Sequence, residues 1–398
     1  MLERRLLVYK SFKKICKKIF NKLQKTYFSL IYFLFILFPV RKNGVAFLSD
    51  SRSNLTGNFE YIDREIKSRQ TDLKISYMLK KTNSAKKTFG EYTKIAWLIA
   101  TSQHVLLDDF YPLVYPLKIR NNVNLIQVWH AVGAFKTFGF SRMGLPGGPK
   151  PTSKNHKNYT WAIVSSKHVA PFYAEGFGID DRKVLPLGAP RTDMFFDTTY
   201  KESVVTRLEE ELPFIKGKKV VLFAPTFRGN GQRSAYYNFD WIDFKKLYTK
   251  LSAAGYVMLF KIHPFVKNKV QIPEEYADFF YDVSSYREVN DLLLVSDALI
   301  TDYSSVVFEY SLLRKKTIFF APDLEEYTAS RDFYVDYQEF VPGPIVRDID
   351  SLVTEIERVN EFNPQSLDDF LAYYFDDLDG KASKRFVDAL ENNFVDFR

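Results

Sequence analysis

Residues 292–310, LLLVSDALITDYSSVVFEY, pass from an apolar run through Asp297 into a second apolar run, and then through Asp302 and two serines into a third. The middle run has the length of a strand that is buried on both faces of a parallel sheet. The third run begins at Ser304 and Ser305 and has the length and composition of a helix. The segment therefore predicts a β-α unit in which two hydroxyl groups stand where the strand ends and the helix begins.

Short apolar segments of the same kind alternate with longer amphipathic stretches from residue 43 onward. This alternation is typical of the α/β class, in which a parallel sheet carries helices on both faces. The first set of predicted strands is 43–50, 73–80, 103–109, 124–130 and 160–166. The second set is 183–191, 218–229, 255–265, 297–305 and 316–323. We therefore predict two Rossmann-like, doubly wound domains, 43–190 and 191–398, joined near Pro190, with a helical end from about Leu367.

Length and composition agree with two domains. The chain has 398 residues, of which 46% are hydrophobic and 17% aromatic, and this is enough to build two cores of ordinary size. Cys16 is the single cysteine, which excludes a disulfide framework and any zinc site built from cysteines.

The positive charge of the chain lies at one end. Residues 1–26 hold nine lysines and arginines against Glu3, a surplus of eight, and the formal net charge of the whole chain is also +8. The remainder is balanced, so the sequence offers no basic groove that could follow a nucleic acid backbone. We expect no nucleic acid partner.

The basic segment continues into a short apolar run, YFSLIYFLFILFPV, and together they form residues 1–42. Apolar residues recur every three to four positions among the lysines, as in an amphipathic helix that lies on an anionic membrane surface. We therefore predict that residues 1–40 associate with the membrane. Two alternatives stay open: a helix that packs on the protein's own core with a solvated lysine face, and a signal peptide or tilted span.

Ligands of open parallel sheets bind beyond the carboxyl ends of the strands. The residues at those ends here are His130, Thr226 with Arg228, Lys261 with His263, and the pair Ser304 and Ser305. A helix that starts with two serines can hold an anion with its hydroxyls, its amides and the positive end of its dipole. The alternative is an ordinary helix cap. The cations at neighbouring strand ends favour a phosphate site.

His130 ends a predicted strand of the other domain and leads into the loop AVGAFKTFG, where Gly133 permits close backbone approach and Lys136 supplies charge. A histidine that faces a phosphate site across a cleft can take a proton from an incoming hydroxyl near neutral pH. His263 would then either stabilise the charge of the departing phosphate or donate to it. A surface histidine without function is the alternative reading of His130.

Six motifs in order between about residues 120 and 345 carry a family resemblance: WHAVGAFKTFG, GAPRTD, LFAPTFRG, KIHPF, VNDLLLVSDALITDYSSVVFEY and RDFYVDYQEFVPGP. They resemble the CDP-glycerol glycerophosphotransferase family, the teichoic acid primases and polymerases. The resemblance implies a GT-B fold whose C-terminal domain binds CDP-glycerol or CDP-ribitol and whose N-terminal domain receives an undecaprenyl-linked acceptor. It implies release of CMP, no cofactor and no metal, and a peripheral position on the cytoplasmic side of the cell membrane.

The resemblance also assigns roles to residues. His130 matches the histidine assigned as general base, and His263 matches a second essential histidine. Ser304 and Ser305 match the phosphate-binding pair, and Glu309 matches an acidic position suited to polyol or ribose hydroxyls. The expected donor-binding positions, from the motifs and the strand ends together, are Ala131, Val132, Gly133, Ala134, Arg191, Pro225, Thr226, Arg228 and Lys261.

One loop departs from the family pattern. Polymerases commonly have WHGTPLK where this chain has WHAVGAFK, so Ala131 replaces a glycine and the Thr-Pro pair is missing. The loop is more similar to primase-like or other short members, and it leaves glycerol and ribitol both open. Two other classes also remain: a GT-B glycosyltransferase that uses a nucleotide sugar, and a non-catalytic protein that binds the membrane or an anionic polymer.

Overall fold

The computed structural model describes residues 2–80, 86–229 and 231–397. In these residues two six-stranded sheets form, and every strand pairs in parallel with its neighbours, which confirms the α/β prediction. The first sheet contains β1 (Arg41–Leu48), β2 (Lys74–Met78), β3 (Ser102–Leu107), β4 (Asn124–Gln127), β5 (Trp161–Ile163) and β6 (Val184–Leu185). The second contains β7 (Lys219–Phe223), β8 (Tyr256–Phe260), β9 (Phe280–Asp282), β10 (Ala298–Thr301), β11 (Lys316–Phe320) and β12 (Ile345–Val346).

The strand orders place a switch point in each sheet. The first sheet has the order β2-β1-β3-β4-β5-β6, so the direction of winding reverses between β1 and β3. The second has the order β12-β11-β10-β7-β8-β9, and its reversal lies between β7 and β10. Such reversals open a crevice beyond the carboxyl ends of the strands. The two crevices position the candidate site.

Thirteen α-helices accompany the sheets in the described part of the chain. They are α1 (Leu2–Phe35), α2 (Asn58–Ser68), α3 (Phe89–Thr101), α4 (Ala170–Phe177), α5 (Thr198–Glu211), α6 (Phe244–Leu251), α7 (Val289–Val295), α8 (Val306–Ser311), α9 (Leu324–Ser330), α10 (Tyr337–Phe340), α11 (Ile349–Glu357), α12 (Asp368–Tyr374) and α13 (Ala382–Glu391). We call residues 41–185, with their sheet, the N-lobe and residues 219–346 the C-lobe. The helical end predicted from Leu367 is present, and Phe386 and Leu390 of α13 return to pack in the N-lobe core.

All ten predicted strand segments contain a strand, but one was placed in the wrong sheet. Val184 and Leu185 pair with β5 in the first sheet, whereas the sequence pattern grouped them with the second set. The prediction also missed β9 and β12. Both are edge strands of three and two residues, too short to produce a periodic pattern.

Helix α1 has two different faces. Phe28 and Tyr32 are buried against the N-lobe, and the hydroxyl of Tyr32 donates to the carbonyl of Lys118 at 2.8 Å. Large apolar side chains on the other face are exposed, including Leu30 and Phe33. The alternative, in which the helix packs on the protein's own core, is therefore correct for one face of the second half of α1. Within the described ranges, no helix is both long and apolar enough to cross a bilayer.

A loop of the N-lobe is fastened to the C-lobe. Lys136 pairs with Phe333 as an antiparallel bridge, and the amide of Tyr334 donates to the carbonyl of Phe135 at 2.9 Å. The amide of Thr137 donates to the carbonyl of Asp332 at 3.0 Å. These main-chain bonds hold the loop that follows His130 against the opposite lobe. We call residues 131–137 the pinned loop.

Candidate active site

The carboxyl edges of the two sheets face each other across a cavity of about 400 Å³. Most of its lining residues are charged or polar, and they come from both lobes and the segment that joins them. Among the lining residues are Arg52, Glu60, Tyr61, His130, Arg191, Pro225, Lys261, His263, Arg287, Asn290, Ser304, Ser305 and Glu309. We call this cavity the cleft. It lies where the two switch points meet, as expected for a ligand site in this architecture.

His130 lies in the cleft beside Asp109, which follows β3. The Nδ1 atom of His130 is 3.4 Å from Oδ1 of Asp109, and 42% of the histidine side chain is exposed. Enclosure between the lobes lowers the pKa of His130; Asp109 opposes this shift, and Arg191 and Arg52 strengthen it. A neutral imidazole that carries its proton on Nδ1, beside a carboxylate, has Nε2 available to accept a proton.

The backbone just before His130 is strained. Trp129 has a φ of 51°, in the left-handed region that a bulky side chain rarely adopts. Asn58, at the start of α2, holds this conformation because its side-chain amide donates to the carbonyls of Val128 at 2.8 Å and Trp129 at 3.0 Å. The strain therefore lies at the residue that directs His130 into the cleft.

Arg191 links the lobes beneath the cleft. Its guanidinium donates to the carbonyl of His130 and forms an ion pair with the buried carboxylate of Glu309 on α8. Its amide donates to the side chain of Asn58 at 3.0 Å. Arg191 thus contacts both the turn that carries His130 and the helix that follows Ser305.

His263 follows β8 on the C-lobe side. The amide of Phe265 donates to Nδ1 of His263 at 3.1 Å, which places the proton of the neutral ring on Nε2. Burial lowers the pKa of His263, and the charges of Lys261 and Lys136 lower it further. A neutral imidazole with Nε2–H can donate a hydrogen bond to a phosphate oxygen.

Ser304 and Ser305 occupy the turn between β10 and α8. The Oγ atom of Ser304 accepts weakly from the amide of Val306 at 3.4 Å, and Ser305, exposed, is the N-cap residue but makes no side-chain cap bond. The ordinary cap that was the alternative is therefore poorly formed. Both hydroxyls line the cleft and can contact a ligand.

Three cations surround these groups. Lys261 donates to the carbonyl of Ser284 at 3.0 Å, and burial lowers its pKa. Arg287 is half exposed, with Nε at 3.6 Å from the carboxylate of Glu288. Arg52 lies on the N-lobe side, with Nε 3.4 Å from Asp108. Cations on several sides of the cleft can therefore contact the two negative charges of a pyrophosphate.

Comparison with known proteins identifies the family. A model of the CDP-glycerol:poly(glycerophosphate) glycerophosphotransferase family matches residues 30–392, which include both sheets and the whole cleft. The chain belongs to this glycerophosphotransferase family.

Two curated relatives and one solved structure place the chain within the family. It is 52% identical over 377 residues, 95% of its length, to the teichoic acid poly(ribitol-phosphate) polymerase of Bacillus spizizenii, and spans 61% of that protein. It is 35% identical over 390 residues to the teichoic acid ribitol-phosphate primase of the same organism, with 94% of this chain and 98% of the primase covered. The wall teichoic acid polymerase TagF has the same fold, with a TM-score of 0.78 at 24% identity over 98% of both chains.

The structure brings most of the predicted glycerophosphotransferase residues into the cleft. His130, Arg191, Pro225, Lys261, His263, Ser304, Ser305 and Glu309 all line it. Arg191 and Glu309, however, pair with each other, so neither charge is free.

The pinned loop lies beside the cleft. Ala131, Val132, Gly133 and Ala134 are absent from the cleft lining among the described residues, and Val132 and Ala134 are buried in the core between the lobes. Gly133 has a φ of 66°, and a Cβ atom there would lie 2.3 Å from the ring of Phe308 on α8. The glycine is required because α8 passes directly over the loop.

Two predicted phosphate contacts are placed differently. Arg228 is buried, with Nη1 2.8 Å from Asp302 and Nε 2.6 Å from Asp323, so its charge is neutralised within the C-lobe. The amide of Thr226 donates to Asp302 at 2.7 Å, and Thr226 lines a neighbouring pocket instead of the cleft. The sequence placed Arg228 and Thr226 at the correct strand end but could not indicate their partners.

Sequence reasoning missed Asp109, Arg52 and Arg287. Asp109 was part of a predicted strand segment, and its position one residue beyond Asp108 at a strand end was the available signal. Arg52 follows β1 at the N-lobe switch point, which could have been tested in the same way. Arg287 lies in a loop before α7, where no pattern in the sequence indicates it.

The other histidines lie outside the cleft lining. His104 is buried with Nδ1 3.3 Å from Asn124, His156 is buried with Nδ1 2.8 Å from the hydroxyl of Tyr159, and His168 stacks on Tyr373. In residues 2–80, 86–229 and 231–397, no group of three or more His, Cys, Asp or Glu side chains is arranged to hold a metal ion.

Proposed function

We propose that this protein transfers ribitol phosphate from CDP-ribitol to a hydroxyl group at the end of a lipid-linked acceptor, and releases CMP. The observation that carries the proposal is that His130 of the N-lobe and Ser304, Ser305, Lys261 and His263 of the C-lobe line one cavity. A proton acceptor and a phosphate-binding edge are thus brought to the two sides of a single reaction space. The C-lobe holds the donor, and the acceptor approaches from the N-lobe.

The reaction forms one bond and breaks one. The acceptor oxygen attacks the phosphorus that carries ribitol, and the bond from this phosphorus to the phosphate oxygen of CMP breaks, so that CMP leaves with the electron pair. His130 accepts the hydroxyl proton at Nε2, and the carboxylate of Asp109 stabilises the imidazolium that forms. His263, Lys261 and the two serines stabilise the charge on the pyrophosphate oxygens, since hydrogen bonds to ionised groups are the strong ones.

Ribitol is favoured because both curated relatives described above are named for ribitol phosphate. Repeated transfer is favoured because the chain is 52% identical to the polymerase and 35% identical to the primase. This outweighs the primase-like form of the pinned loop. Pocket contacts made with hydroxyl groups discriminate strongly between polyols, so the preference is measurable.

The test is CMP release by the purified protein from CDP-ribitol and, separately, from CDP-glycerol, each with a synthetic lipid-linked acceptor. We expect release from CDP-ribitol that depends on the acceptor, and products of many units. Preference for CDP-glycerol would overturn the choice of polyol, and a single addition would overturn repeated transfer. No release from either donor by folded protein would overturn the reaction itself.

We also propose that α1 holds the protein on the cytoplasmic face of the membrane. The support is the exposed face of α1, where Leu23, Leu30, Phe33 and Leu34 each leave more than half of the side chain uncovered on a helix rich in lysine. Apolar insertion and attraction to anionic lipids act together in such helices. An acceptor confined to the same surface would then reach the cleft without diffusing through solution.

Liposome flotation tests the anchor. Removal of residues 2–22 leaves the buried contacts of Gln24, Phe28 and Tyr32 intact, so the fold is preserved. We expect this deletion to abolish binding to vesicles that contain phosphatidylglycerol, while CMP release from a soluble acceptor analogue continues. The triple variant Leu30→Ser, Phe33→Ser, Leu34→Ser is expected to weaken binding without any change in charge. Full binding by both variants would overturn the proposal.

A further inference from the structure

A second pocket lies behind the pinned loop. It has a volume of about 500 Å³ and is lined by Lys136 and Arg142 on the N-lobe side and by Thr226, Phe227 and Arg331 on the C-lobe side. Phe227 of this lining also contacts His263 of the cleft, with the two ring centroids 4.9 Å apart. The two cavities are therefore neighbours, connected by one pair of aromatic rings.

The charges of the second pocket are not balanced by the protein. Three cations, Lys136, Arg142 and Arg331, line it with one carboxylate, Asp332. Only Arg142 has a carboxylate within 4.0 Å in the described residues, at 3.6 Å from Asp332. The cationic groups of Lys136 and Arg331 are instead near neutral oxygens, the hydroxyl of Tyr327 at 3.4 Å and the carbonyl of Gly229 at 2.7 Å.

The environment of Lys136 makes this imbalance costly. Burial lowers the pKa of Lys136 to about 8, with Arg331 and Arg228 acting in the same direction and Asp302 against them. The amine is still mostly protonated at neutral pH, so an enclosed positive charge lacks a counter-ion. An enclosed charge is stabilised by an anion that enters the pocket.

The pocket is also preformed. The antiparallel bridge between Lys136 and Phe333 and the bond from the amide of Thr137 to Asp332 form part of its wall. These main-chain bonds fix the position of the pocket relative to His130, six residues earlier in the chain. A preformed cationic pocket binds an anion without the cost of ordering a loop.

We propose that this second pocket binds a phosphodiester of the acceptor chain, in the unit next to the one whose hydroxyl group reacts. The inference rests on the proposed function. The cleft already contains Lys261, His263, Arg287 and the two serines for the pyrophosphate of the donor, so the cations of the second pocket serve a different phosphate. A polyol phosphate chain carries one negative charge per unit, so an acceptor of several units places a further phosphate behind the unit that reacts. Guanidinium groups suit phosphate because they donate two parallel hydrogen bonds.

The test compares two lipid-linked acceptors, one ending in a single ribitol phosphate and one in several. In the double variant Arg142→Gln, Arg331→Gln we expect KM for the longer acceptor to rise about tenfold or more, since each lost bond to a charged group weakens binding by roughly that factor. We expect KM for the single-unit acceptor and for CDP-ribitol to stay unchanged. When Arg331→Lys replaces Arg331→Gln in the double variant, part of the affinity for the longer acceptor should return. The control Arg182→Gln removes an exposed arginine elsewhere on the N-lobe and should change nothing.

Each other outcome overturns the inference. An equal rise in KM for both acceptors, or a rise for CDP-ribitol, would assign the second pocket to the donor or to the reacting unit. No change in any KM would mean that the pocket binds no substrate group. Calorimetry with a soluble oligo(ribitol phosphate) gives a second measurement that needs no turnover: the unmodified protein should bind it, and the double variant should bind it about tenfold more weakly. If CDP-ribitol supports no CMP release, the proposed function fails, and this binding measurement still decides the inference.

Discussion

The two histidines of the cleft both have a lowered pKa but lie in opposite surroundings. Both pKa values are lowered by burial. His130 has a carboxylate beside Nδ1, whereas the same atom of His263 accepts a hydrogen bond from the amide of Phe265 and the nearest charges are lysines. A carboxylate stabilises a histidine that has gained a proton, and neighbouring lysines stabilise one that stays neutral. The surroundings of His130 therefore suit a proton acceptor, and those of His263 suit a hydrogen-bond donor.

The lesson is that the lobes divide the chemistry. The N-lobe edge combines a histidine with Asp108 and Asp109, and the C-lobe edge combines a histidine with Lys261 and two hydroxyls. A transferase needs both a group that receives a proton and a surface that holds negative charge.

Substitution His130→Asn should have the largest effect. We expect kcat for CMP release to fall about 10³-fold, since general base catalysis contributes factors of this size, while the affinity for CDP-ribitol is retained. Stopped-assay kinetics and donor binding by calorimetry measure the two quantities. His168→Asn is the matched control, because His168 stacks on Tyr373 away from the cleft. Equal loss in both variants would mean that His130 acts through the fold.

Substitution His263→Asn should lower kcat about 10²-fold, the effect of removing one preorganised donor to a developing charge. If the division between the histidines is correct, the dependence of the remaining activity on pH should keep the same acid limb as the unmodified protein. Loss of that limb would indicate that His263 is the proton acceptor, and would exchange the two roles.

Substitution Asp109→Asn should lower kcat about tenfold by removing the group that stabilises protonated His130. The pH profile provides the sharper test. Because His130 must be neutral to accept a proton, activity is lost as the pH falls through its pKa, which lies below 6.5. Asp109 raises that pKa, so its loss should move the acid limb to lower pH. A shift to higher pH would contradict the pairing.

Substitution Arg228→Met should leave the donor KM unchanged and instead reduce stability. It leaves Asp302 and Asp323 buried without their partner, which costs about 3 kcal/mol of unfolding free energy. Urea denaturation measures the loss, and activity at low temperature, where the variant stays folded, measures KM. A raised KM with normal stability would return Arg228 to the phosphate site, as the sequence had suggested.

The sequence predicted those features that depend on a residue's neighbours along the chain. Apolar runs such as ALIT before Asp302 indicate buried strands, and the residues that end them must lie at the edge of the sheet. His130, His263 and the two serines were found in this way. Their partners come from elsewhere in the chain: Asp109 follows a different strand, and Asp323 neutralises Arg228 from 95 residues away. The spacing of residues along the chain does not indicate which cations pair with carboxylates. Arg228 and Arg191 were therefore both predicted to be available for the donor.

The departure of the pinned loop from the family pattern has a similar explanation. The loop differs from WHGTPLK at positions that pack between the lobes, since Val132 and Ala134 belong to the same buried apolar cluster as Phe308. A change of sequence there alters how the lobes fit together and leaves the lining of the cleft unchanged. The loop is therefore a weak guide to which polyol the protein uses.

The ring of Phe308 resting on Gly133, with the main-chain bonds from residues 135–137 to residues 332–334, has a mechanical consequence. The turn that carries His130 is clamped to the lobe that holds Ser304 and Ser305, so this corner of the protein acts as a fulcrum. If the lobes open, they have to swing about it, so the distance between His130 and the two serines changes less than the width of the cleft farther from the pinned loop. Under the proposed repeated transfer, CMP would leave through the wider part while this corner keeps its alignment from one addition to the next.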